Sequence, residues 1–455
     1  MNDHIYRSSS ILLLAVGASA CAPTPRLAIT PTVISADWRD AESAGSVPLD
    51  EAWAAFGSPE LEALVARAVQ ANTDIAIAAA RVTQARGQLG VARAASLPTL
   101  TLSGDARTFG GSSDRLGDPS AALDIAYDVD LFGGVRAGKR AAFARFQASR
   151  FERDAVALAI ESDIARGYVQ HAAFSSRIKL LQRALDNARE LDRIIGVRVR
   201  EGVATKVDSG LQFIEVRRIE AEASRLVEAR MRTRNALAIL TGEEAPQFVP
   251  PTAELAALSP PAFQPLQPGI LLVRRPDVRA AEALITGANG DVERARAAFL
   301  PSLRISARSL FEAGAAGPLG LGLSVGAGLL APIFDGGRLN GDLLSASGAQ
   351  HEAVERYRKA LLVALGEGQD ALNAVEQSRR RGALLTETLS IAQLTARLAR
   401  RQYVEGAGDL QTLLDAERRA LDVEDALAVA TQERLEAAID LYRALGGKPA
   451  QAGEV

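Results

Sequence analysis

Histidines and one serine motif are the features of this sequence that most suggest catalysis or metal binding. The chain has three histidines, His4, His171 and His351, and neither His171 nor His351 has a second histidine or cysteine at metal-site spacing. The segment Gly322–Gly326, GLSVG, has the spacing of a hydrolase nucleophile elbow. It lies inside the alternating run Leu319–Leu329, which predicts a strand rather than a strand-to-helix turn. The sequence therefore predicts no enzyme activity, no metal and no cofactor.

The single cysteine follows an N-terminal secretory pattern. Arg7 precedes the apolar run Ile11–Val16, which is too short to span a bilayer. Ala18–Ala20 fits ordinary cleavage that leaves the cysteine unmodified, whereas small residues ending at Cys21 resemble the lipoprotein box, which usually has leucine at the position of Ala18. We expect residues 1–20 to be a signal peptide and Cys21 to be acylated. On either interpretation, the mature protein leaves the cytoplasm.

The composition favours long helices and gives no support for nucleic-acid binding. Hydrophobic residues make up 48% of the 455 residues but aromatic residues only 5%, so Ala, Leu and Val supply most of the apolar content. The net charge is −3, from 52 basic and 55 acidic residues. Such a balance provides no basic surface for nucleic acid.

The chain repeats itself. The phrase ARAASLPTLTLS (Ala92–Ser103) returns 203 residues later as ARAAFLPSLRIS (Ala295–Ser306), with eight of twelve letters unchanged. The sequence therefore predicts two copies of one structural unit.

Two proline-free stretches, between Pro119 and Pro246 and between Pro332 and Pro449, permit very long helices. The run from about Ala137 to Val199 alone would reach roughly 90 Å. Apolar residues recur at helical spacing in both stretches, which is typical of coiled-coil-like packing. The first set is Phe174, Ile178, Leu181, Leu185 and Ala188, and the second is Leu384, Ile391, Leu394 and Leu398.

Each long stretch has one interruption, VREGVATKVD (Val199–Asp208) and YVEGAGDLQT (Tyr403–Thr412). Gly202 and Gly406 can end one helix, while Thr205 and Asp409 can cap the next. Each repeat is therefore predicted to contain a helical hairpin with a turn at its tip. A flexible hinge would not explain why both turns fall at equivalent places.

Other local signals mark where helices begin. Asp74 and Asp277 occupy matching places in the repeats, and Pro276 suits the first turn of a helix whose positive end Asp277 complements. The glycines of Phe132–Gly134 and Phe334–Gly337 fall where a strand becomes a long helix. A phosphate-binding loop is the alternative there, but its fingerprints are absent.

Period-two alternation before each long helix predicts four strands with one apolar face, each about long enough to cross a bilayer. A membrane sheet has to close, and four strands are too few to close alone. Several chains must pool their strands, and a homotrimer would supply twelve. The predicted fold class is thus mainly α with membrane β: two tandem repeats of a β-hairpin plus a long helical hairpin, with the strands of three chains pooled in one barrel.

These patterns divide the chain into six segments. Each repeat holds a helix, a β-hairpin (about 99–132 and 302–333) and a long helical hairpin (about 137–241 and 338–445). The segments are a signal peptide (1–20), an acylated extended segment (21–50), repeat 1 (51–242), a proline-rich crossover (243–269), repeat 2 (270–447) and a tail (448–455).

From about Pro48 to Gly447 the chain resembles the TolC-like outer-membrane efflux proteins, in particular their NodT-type lipoprotein branch. Four motifs in order carry the resemblance: Glu51–Ile75 (EAWAAFGSPELEALVARAVQANTDI), Leu271–Ile285 (LLVRRPDVRAAEALI), Ile333–Leu339 (IFDGGRL) and Tyr403–Leu421 (YVEGAGDLQTLLDAERRAL). The resemblance implies a lipid-anchored homotrimer of a Gram-negative bacterium, with a trimeric twelve-stranded outer-membrane barrel on a periplasmic α-helical barrel. It also implies a periplasmic adaptor and an inner-membrane pump, commonly of the resistance-nodulation-division type, as partners.

The resemblance also implies a periplasmic gate. Asp415, in LLDA, falls at a family gating position, and Asp208 aligns with Thr412 between the repeats, so a second acidic ring would come from Asp208. Arg418 is expected to pair with Asp415 at helical spacing. Capping or solvation of their helices is the alternative role for both acids. The candidate adaptor-docking tips are the two turns Gly202, Val203, Ala204 and Thr205, and Gly406, Ala407, Gly408 and Asp409.

The sequence favours passive efflux of small molecules such as drugs and toxic compounds. A duct of a type I protein secretion system would use the same fold. A periplasmic lipoprotein adaptor or scaffold is an alternative of another class, but one hairpin would suffice for an adaptor and a scaffold would leave the strands unexplained.

Overall fold

The computed structural model describes residues 38, 47–105, 108–109, 115–116, 120–251, 254–263, 267–312 and 320–448. These residues form eight α-helices and six β-strands. The helices are α1 Pro59–Ala71, α2 Thr73–Ala94, α3 Gly134–Arg200, α4 Lys206–Leu240, α5 Pro268–Arg274, α6 Pro276–Ala297, α7 Arg338–Val404 and α8 Leu410–Ala444. The strands are β1 Thr99–Asp105, β2 Thr108–Phe109, β3 Arg115–Leu116, β4 Ser120–Val129, β5 Ser302–Glu312 and β6 Gly320–Leu330.

The two repeats have helices of identical length. Helices α3 and α7 each have 67 residues, α4 and α8 each have 35, and α2 and α6 each have 22. At about 1.5 Å per residue, the longest pair extends roughly 100 Å. The predicted fold, with one β-hairpin and one long helical hairpin in each repeat, is confirmed.

Capping side chains explain where helices α2 and α6 begin. The Asn72 side chain accepts hydrogen bonds from the backbone amides of Asp74 and Ile75. Pro276 occupies the first turn of α6 together with Asp277. Asp277 has a further partner, because the buried Arg275 guanidinium binds both Asp277 and Glu367.

Glycines redirect the chain where strands become long helices. Gly133 and Gly337 precede α3 and α7 with φ of 79° and 92°, in the left-handed region that other residues avoid. The carboxylates of Asp130 and Asp335 then accept backbone hydrogen bonds from the first helical turn. The predicted redirecting role of these glycines is confirmed.

The helices continue the lateral order of the sheet. Strands follow the order β1-β4-β5-β6, all antiparallel, and the helices joined to them, α2, α3, α6 and α7, lie side by side in the same order. Helix α4 packs on α3, and α8 packs on both α7 and α3. The strands of one chain are thus continued by a layer of helices.

Small residues bring α3 and α6 close together. Ala137 and Ala141 of α3 are almost fully buried against Gly290 of α6. A Cβ atom on Gly290 would lie 2.8 Å from the backbone oxygen of Ala137. Gly290 is therefore needed for the approach of the two backbones.

Two apolar cores hold the layer together where α1, α5 and the crossover cover the long helices. The first contains Phe56, Tyr168 and Leu237, and the second contains Leu271 and Tyr442. The crossover is largely irregular, with one 3₁₀ turn at Leu255–Ala257, and it contributes buried side chains to both cores. Those side chains are Phe248, Leu255, Leu258 and Phe263.

The two predicted apolar seams differ in how deeply they are buried within one chain. The seam of α3 is confirmed, since Leu181, Leu185 and Ala188 are buried against α4. The seam of α7 is exposed, with Leu384 65% accessible. The other exposed members of this seam are Ile391, Leu394 and Leu398.

Among the described helices, none combines the length and apolar character that membrane crossing needs.

Candidate functional site: a two-faced sheet and the helical tips

One face of the four-stranded sheet is apolar and exposed. The register pairs Leu303 with Leu329 and Phe311 with Leu321, so apolar side chains of neighbouring strands share this face. Exposed apolar side chains cover it, a pattern that monomeric soluble proteins avoid and lipid-facing strands require. They are Leu100, Leu102, Ile125, Ile305, Phe311, Leu321, Leu323, Val325 and Leu329.

The opposite face of the sheet is polar. Arg304 on β5 forms two hydrogen bonds of 2.8 and 3.0 Å with Asp128 on β4, and Arg308 lies 3.6 Å from Asp124. Beside them, β6 presents Gly322, Ser324, Gly326 and Gly328, which leave open space above the sheet. This face combines compensated charges with room for a solute.

Both outer strands of the sheet have an unpaired edge. Among the described residues, β1 pairs only with β4 and β6 only with β5. Open edges cannot remain in a membrane because their backbone groups would lack hydrogen-bond partners. The exposed seam of α7 lies on the same side of the layer as the edge strand β6. The sheet and the helices therefore both require neighbouring copies at their edges.

The two helical tips are built alike but with exchanged capping residues. Gly202 and Gly406 have φ of 73° and 76° and end α3 and α7. In the first tip, the Asp208 carboxylate accepts hydrogen bonds of 2.7 and 2.8 Å from the backbone amide and hydroxyl of Thr205. In the second tip, Asp409 accepts two hydrogen bonds of 2.8 Å from the backbone amide and hydroxyl of Thr412. These two hydrogen bonds, the backbone one first, hold the pKa of Asp409 below its ordinary value.

An ion cluster above the tips joins the two helical hairpins. Glu215 of α4 receives hydrogen bonds of 2.7 Å from Arg218 and 2.9 Å from Arg418 of α8. The Glu215 side chain is only 9% exposed. Its burial would raise the carboxyl pKa, but the two guanidinium groups outweigh burial and hold the pKa below its ordinary value. Glu215 is therefore a buried anion shared by two hairpins.

A polar cavity of about 320 Å³ lies between α3, α4, α7 and α8 beside this cluster. Burial raises the pKa of Glu417, partly offset by Arg400 at 3.8 Å and reinforced by the charge of Glu215. The buried Gln212 amide donates a 2.6 Å hydrogen bond to the Ala188 carbonyl, but its Oε1 atom has no protein partner. The packing between the hairpins is thus polar and incompletely satisfied.

One protein-family model, described as outer membrane efflux protein, matches both repeats, at residues 64–243 and 268–447. The chain belongs to the outer membrane efflux protein family. Its similarity to individual members extends over almost its whole length. It is 32% identical to the pyoverdine export outer membrane protein OpmQ of Pseudomonas putida, with 97% of each chain covered. It is 29% identical to the outer membrane protein OprJ of Pseudomonas aeruginosa, with 97% of this chain and 95% of OprJ covered.

Solved structures share the fold. The outer membrane channel MtrE of Neisseria gonorrhoeae, in its open state, superposes with a TM-score of 0.83 at 27% identity, covering 94% of this chain and 98% of MtrE. The outer-membrane channel OprN gives a TM-score of 0.84 at 26% identity, covering 94% of this chain and 99% of OprN.

Membership of the outer membrane efflux family indicates the oligomeric state of the chain, its partners and its location in the cell. It is the outer-membrane channel of a tripartite efflux system, a homotrimer that works with a periplasmic adaptor and an inner-membrane pump. The twelve pooled strands form the membrane barrel, and the helices form the periplasmic tunnel. The apolar face of the sheet faces lipid, and the Asp–Arg face lines the lumen. The family is one of channels rather than enzymes.

The structure separates the residues expected at the gate of the efflux channel. Asp208 and Thr412 occupy equivalent positions, but each belongs to its own capping pair. Asp415 is exposed and has no ion-pair partner among the described residues. The expected pairing of Arg418 with Asp415 is wrong, because the buried anion of Glu215 attracts the guanidinium across the hairpins.

The two turns expected to dock an adaptor end α3 and α7, and their docking role stays a prediction. Residues 202–203 and 406–407 are exposed, and Val203 is 74% accessible. Among the described residues, no three metal-binding side chains lie close enough to share an ion. Cys21 and the signal peptide lie outside the described residues, so acylation stays a prediction.

Sequence reasoning missed Glu215, Gln212 and Glu417. A signal was present for Glu215, which lies seven residues after Asp208 and therefore on the same side of α4, two turns from the tip. Its partner on α8, Arg418, could not be predicted from local spacing, because 203 residues separate Glu215 from Arg418.

Proposed function

We propose that this channel is a passive exit duct for small molecules that rests closed at its periplasmic end. One observation carries the proposal: the polar face of the sheet, with its paired charges, continues directly into two 67-residue helices in each chain. A pathway lined this way conducts solutes without a binding pocket or reactive group of its own, so the chain conducts rather than catalyses.

Small-molecule efflux is favoured over protein secretion by the named relatives. OpmQ proteins are named for pyoverdine export, and other relatives at 26–27% identity are named for antibiotic, toluene or solvent efflux. These cargoes differ widely in chemistry although the channels are similar. We infer that the pump selects the cargo and that this chain accepts what the pump delivers.

We propose that the resting gate combines Asp415 with the cross-hairpin ion pair. Asp415 is exposed on α8 one turn before Arg418, and a homotrimer places three copies around one axis. Three carboxylates at a constriction repel anions and attract cations. Asp208 contributes to the gate through its capping box, which fixes the start of α4, rather than as a free charge.

We propose that the turns at 202–205 and 406–409 are the adaptor-docking tips. Two equivalent turns in each of three chains present six similar surfaces, which suit a repetitive contact with several adaptor copies. We further propose that acylated Cys21 anchors the channel to the outer membrane in addition to the barrel.

The gate is tested by the single-channel conductance of the purified trimer in planar bilayers. Asp415→Ala is expected to raise the conductance by removing the charged constriction. Asp208→Asn is the matched comparison: it removes a charge near the other tip of the same chain but keeps an N3 side chain able to hydrogen-bond, and is expected to leave the conductance near that of the wild type. Equal conductance of Asp415→Ala and the wild type would remove Asp415 from the gate.

A further inference from the structure

A second cavity, of about 550 Å³, lies between α2, α3 and α6 just below the membrane sheet. We name it the outer-face pocket; the lining residues used here are Leu89, Arg93, Lys139, Arg140, Phe143 and Gln147. Solute conduction and gating do not use it.

The outer-face pocket opens away from the lumen. Its residues Arg140, Phe143 and Gln147 follow one another at helical spacing on one side of α3. Gly138, Ala142 and Arg145 lie on roughly the opposite side, at about 100° per residue. That opposite side lines a larger cavity of about 770 Å³ together with Asp128 and Ser302, which belong to the lumen face of the sheet. Lys139 lies between the two sides of the helix and borders both cavities.

The end of the pocket nearest the sheet lies at the depth of lipid headgroups, whereas Phe143 and Gln147 lie about 14 and 20 Å into the helix. Strand β4 ends at Val129 and α3 begins at Gly134, so Lys139 is five residues into the helix, about 8 Å along its axis. The polar headgroup layer is roughly 5–8 Å thick on each side of the hydrocarbon core. Exposed apolar residues Leu131–Phe132 and Ile333–Phe334 lie at the strand-to-helix connections and mark the boundary between the two layers.

The pocket has an excess of positive charge. Arg140 pairs with Glu293 of α6. Arg93 of α2 and Lys139 of α3 have no ion-pair partner within the part of the chain that the structure describes. Two uncompensated cations on adjacent helices therefore face one cavity, a pairing suited to a phosphate group.

The rest of the pocket is apolar. The Phe143 side chain is 46% exposed, and Leu89 is buried behind it. Phe143 lies four residues, about 6 Å, farther from the sheet than Lys139. The exposed apolar side chains between the cations and the lipid-facing band are those of the strand-to-helix connections. Such a surface is costly in water but stable against lipid.

We propose that the outer-face pocket binds an anionic phospholipid of the periplasmic leaflet. The headgroup phosphate lies between Arg93 and Lys139, and the acyl chains extend from there toward the lipid-facing side of the sheet. The trimer has three such sites, one for each copy of the helical layer, and each ties the top of the helical tunnel to the inner leaflet.

The test is native mass spectrometry of the delipidated full-length trimer, titrated with dioleoyl phosphatidylglycerol or with dioleoyl phosphatidylcholine. The wild type is expected to retain up to three phosphatidylglycerol molecules and to bind phosphatidylcholine more weakly. Loss of two cations in Arg93→Gln/Lys139→Gln is expected to weaken phosphatidylglycerol binding roughly thirtyfold.

Arg338→Gln is the matched control, because Arg338 lies at the same depth but lines the lumen-side cavity. It is expected to bind phosphatidylglycerol as the wild type does. Equal retention of the two lipids by the wild type, or unchanged binding by the double variant, would overturn the proposal. An equal loss in the control variant would also overturn it, by showing a general charge effect. The trimer mass in each spectrum shows whether a variant has assembled.

Discussion

Arg418 is the residue whose removal should open the periplasmic end with the least damage to the fold. It lies on α8, 45% exposed, and its partner Glu215 lies on the other helical hairpin. In Arg418→Ala, Glu215 keeps its second partner, Arg218, at 2.7 Å. The substitution therefore removes a link between hairpins without leaving a buried carboxylate unpaired.

The size of the effect follows from the exposure of the pair. Hydrogen bonds to charged groups contribute roughly 1.5–3 kcal/mol when buried, and exposed pairs contribute less than about 1 kcal/mol. One partner here is buried and the other half-exposed, so we expect about 1 kcal/mol per copy. Three copies that open together give about 3 kcal/mol, or roughly a hundredfold larger ratio of open to closed channels.

The measurement is the open fraction of single trimers in planar bilayers, at low and high salt. Arg418→Ala is expected to open far more often than the wild type, and high salt is expected to narrow the difference because it screens the half-exposed pair. The open fraction of Arg418→Lys should lie between those of the wild type and Arg418→Ala, since lysine keeps the charge but loses the planar donor geometry. Cells carrying Arg418→Ala should become sensitive to a large antibiotic that the intact outer membrane excludes.

Arg419 provides the control. It is adjacent in sequence, exposed, and makes no ion pair within the described ranges. Arg419→Ala is expected to behave as the wild type. If Arg418→Ala stays as closed as the wild type, or if Arg419→Ala opens equally often, the cross-hairpin pair does not hold the gate.

Two further predictions concern packing and ionisation. Gly290→Ala should destabilise the trimer by about 1–3 kcal/mol, because the added Cβ would press on the backbone of Ala137. Gly87→Ala, in open space on α2, is the control and should be neutral or stabilising by about 0.5–1 kcal/mol. Thermal unfolding in detergent compares the two variants, and equal unfolding midpoints would refute the close-packing argument. Burial raises the pKa of Glu417 above the ordinary value of 4.5. The folded state therefore loses stability as pH rises from 4.5 through the raised pKa. At pH values above the raised pKa, Glu417→Gln should unfold at a higher temperature than the wild type, and below pH 4.5 the two should unfold at similar temperatures. A lower unfolding temperature of the variant at neutral pH would mean that the ion pair with Arg400 outweighs burial.

Much of the fold was predictable because it depends on local rules. Glycine at Gly202 and Gly406 and the caps at Thr205 and Asp409 determine where helices end and begin, and proline-free runs leave the intervening helices intact. The duplicated sequence then places the second unit. These features act over a few residues and can be recognised from spacing alone.

The gate was less predictable because its contacts join distant parts of the chain. Helical spacing suggested Asp415 as the partner of Arg418, but the buried carboxylate of Glu215 competes more strongly for the guanidinium. The exposed seam of α7 is a similar case. Its apolar residues were recognised correctly, but sequence spacing does not specify whether a seam packs within one chain or against the next.

The comparison of the two repeats suggests why the proposed gate lies near the tips. Their helices have identical lengths, so three chains can form a tunnel of six nearly equivalent units. The gate residues break this equivalence: at the same helical position Asp415 corresponds to Leu211, and Glu215 corresponds to Arg419. A carboxylate that occurs in one repeat only is present three times in the trimer rather than six, and the ion pair with Arg418 links unlike hairpins. Equal lengths are what a continuous wall requires, whereas the unequal charges near the tips give the α7–α8 hairpin of each chain a carboxylate, Asp415, that the α3–α4 hairpin lacks at the equivalent position.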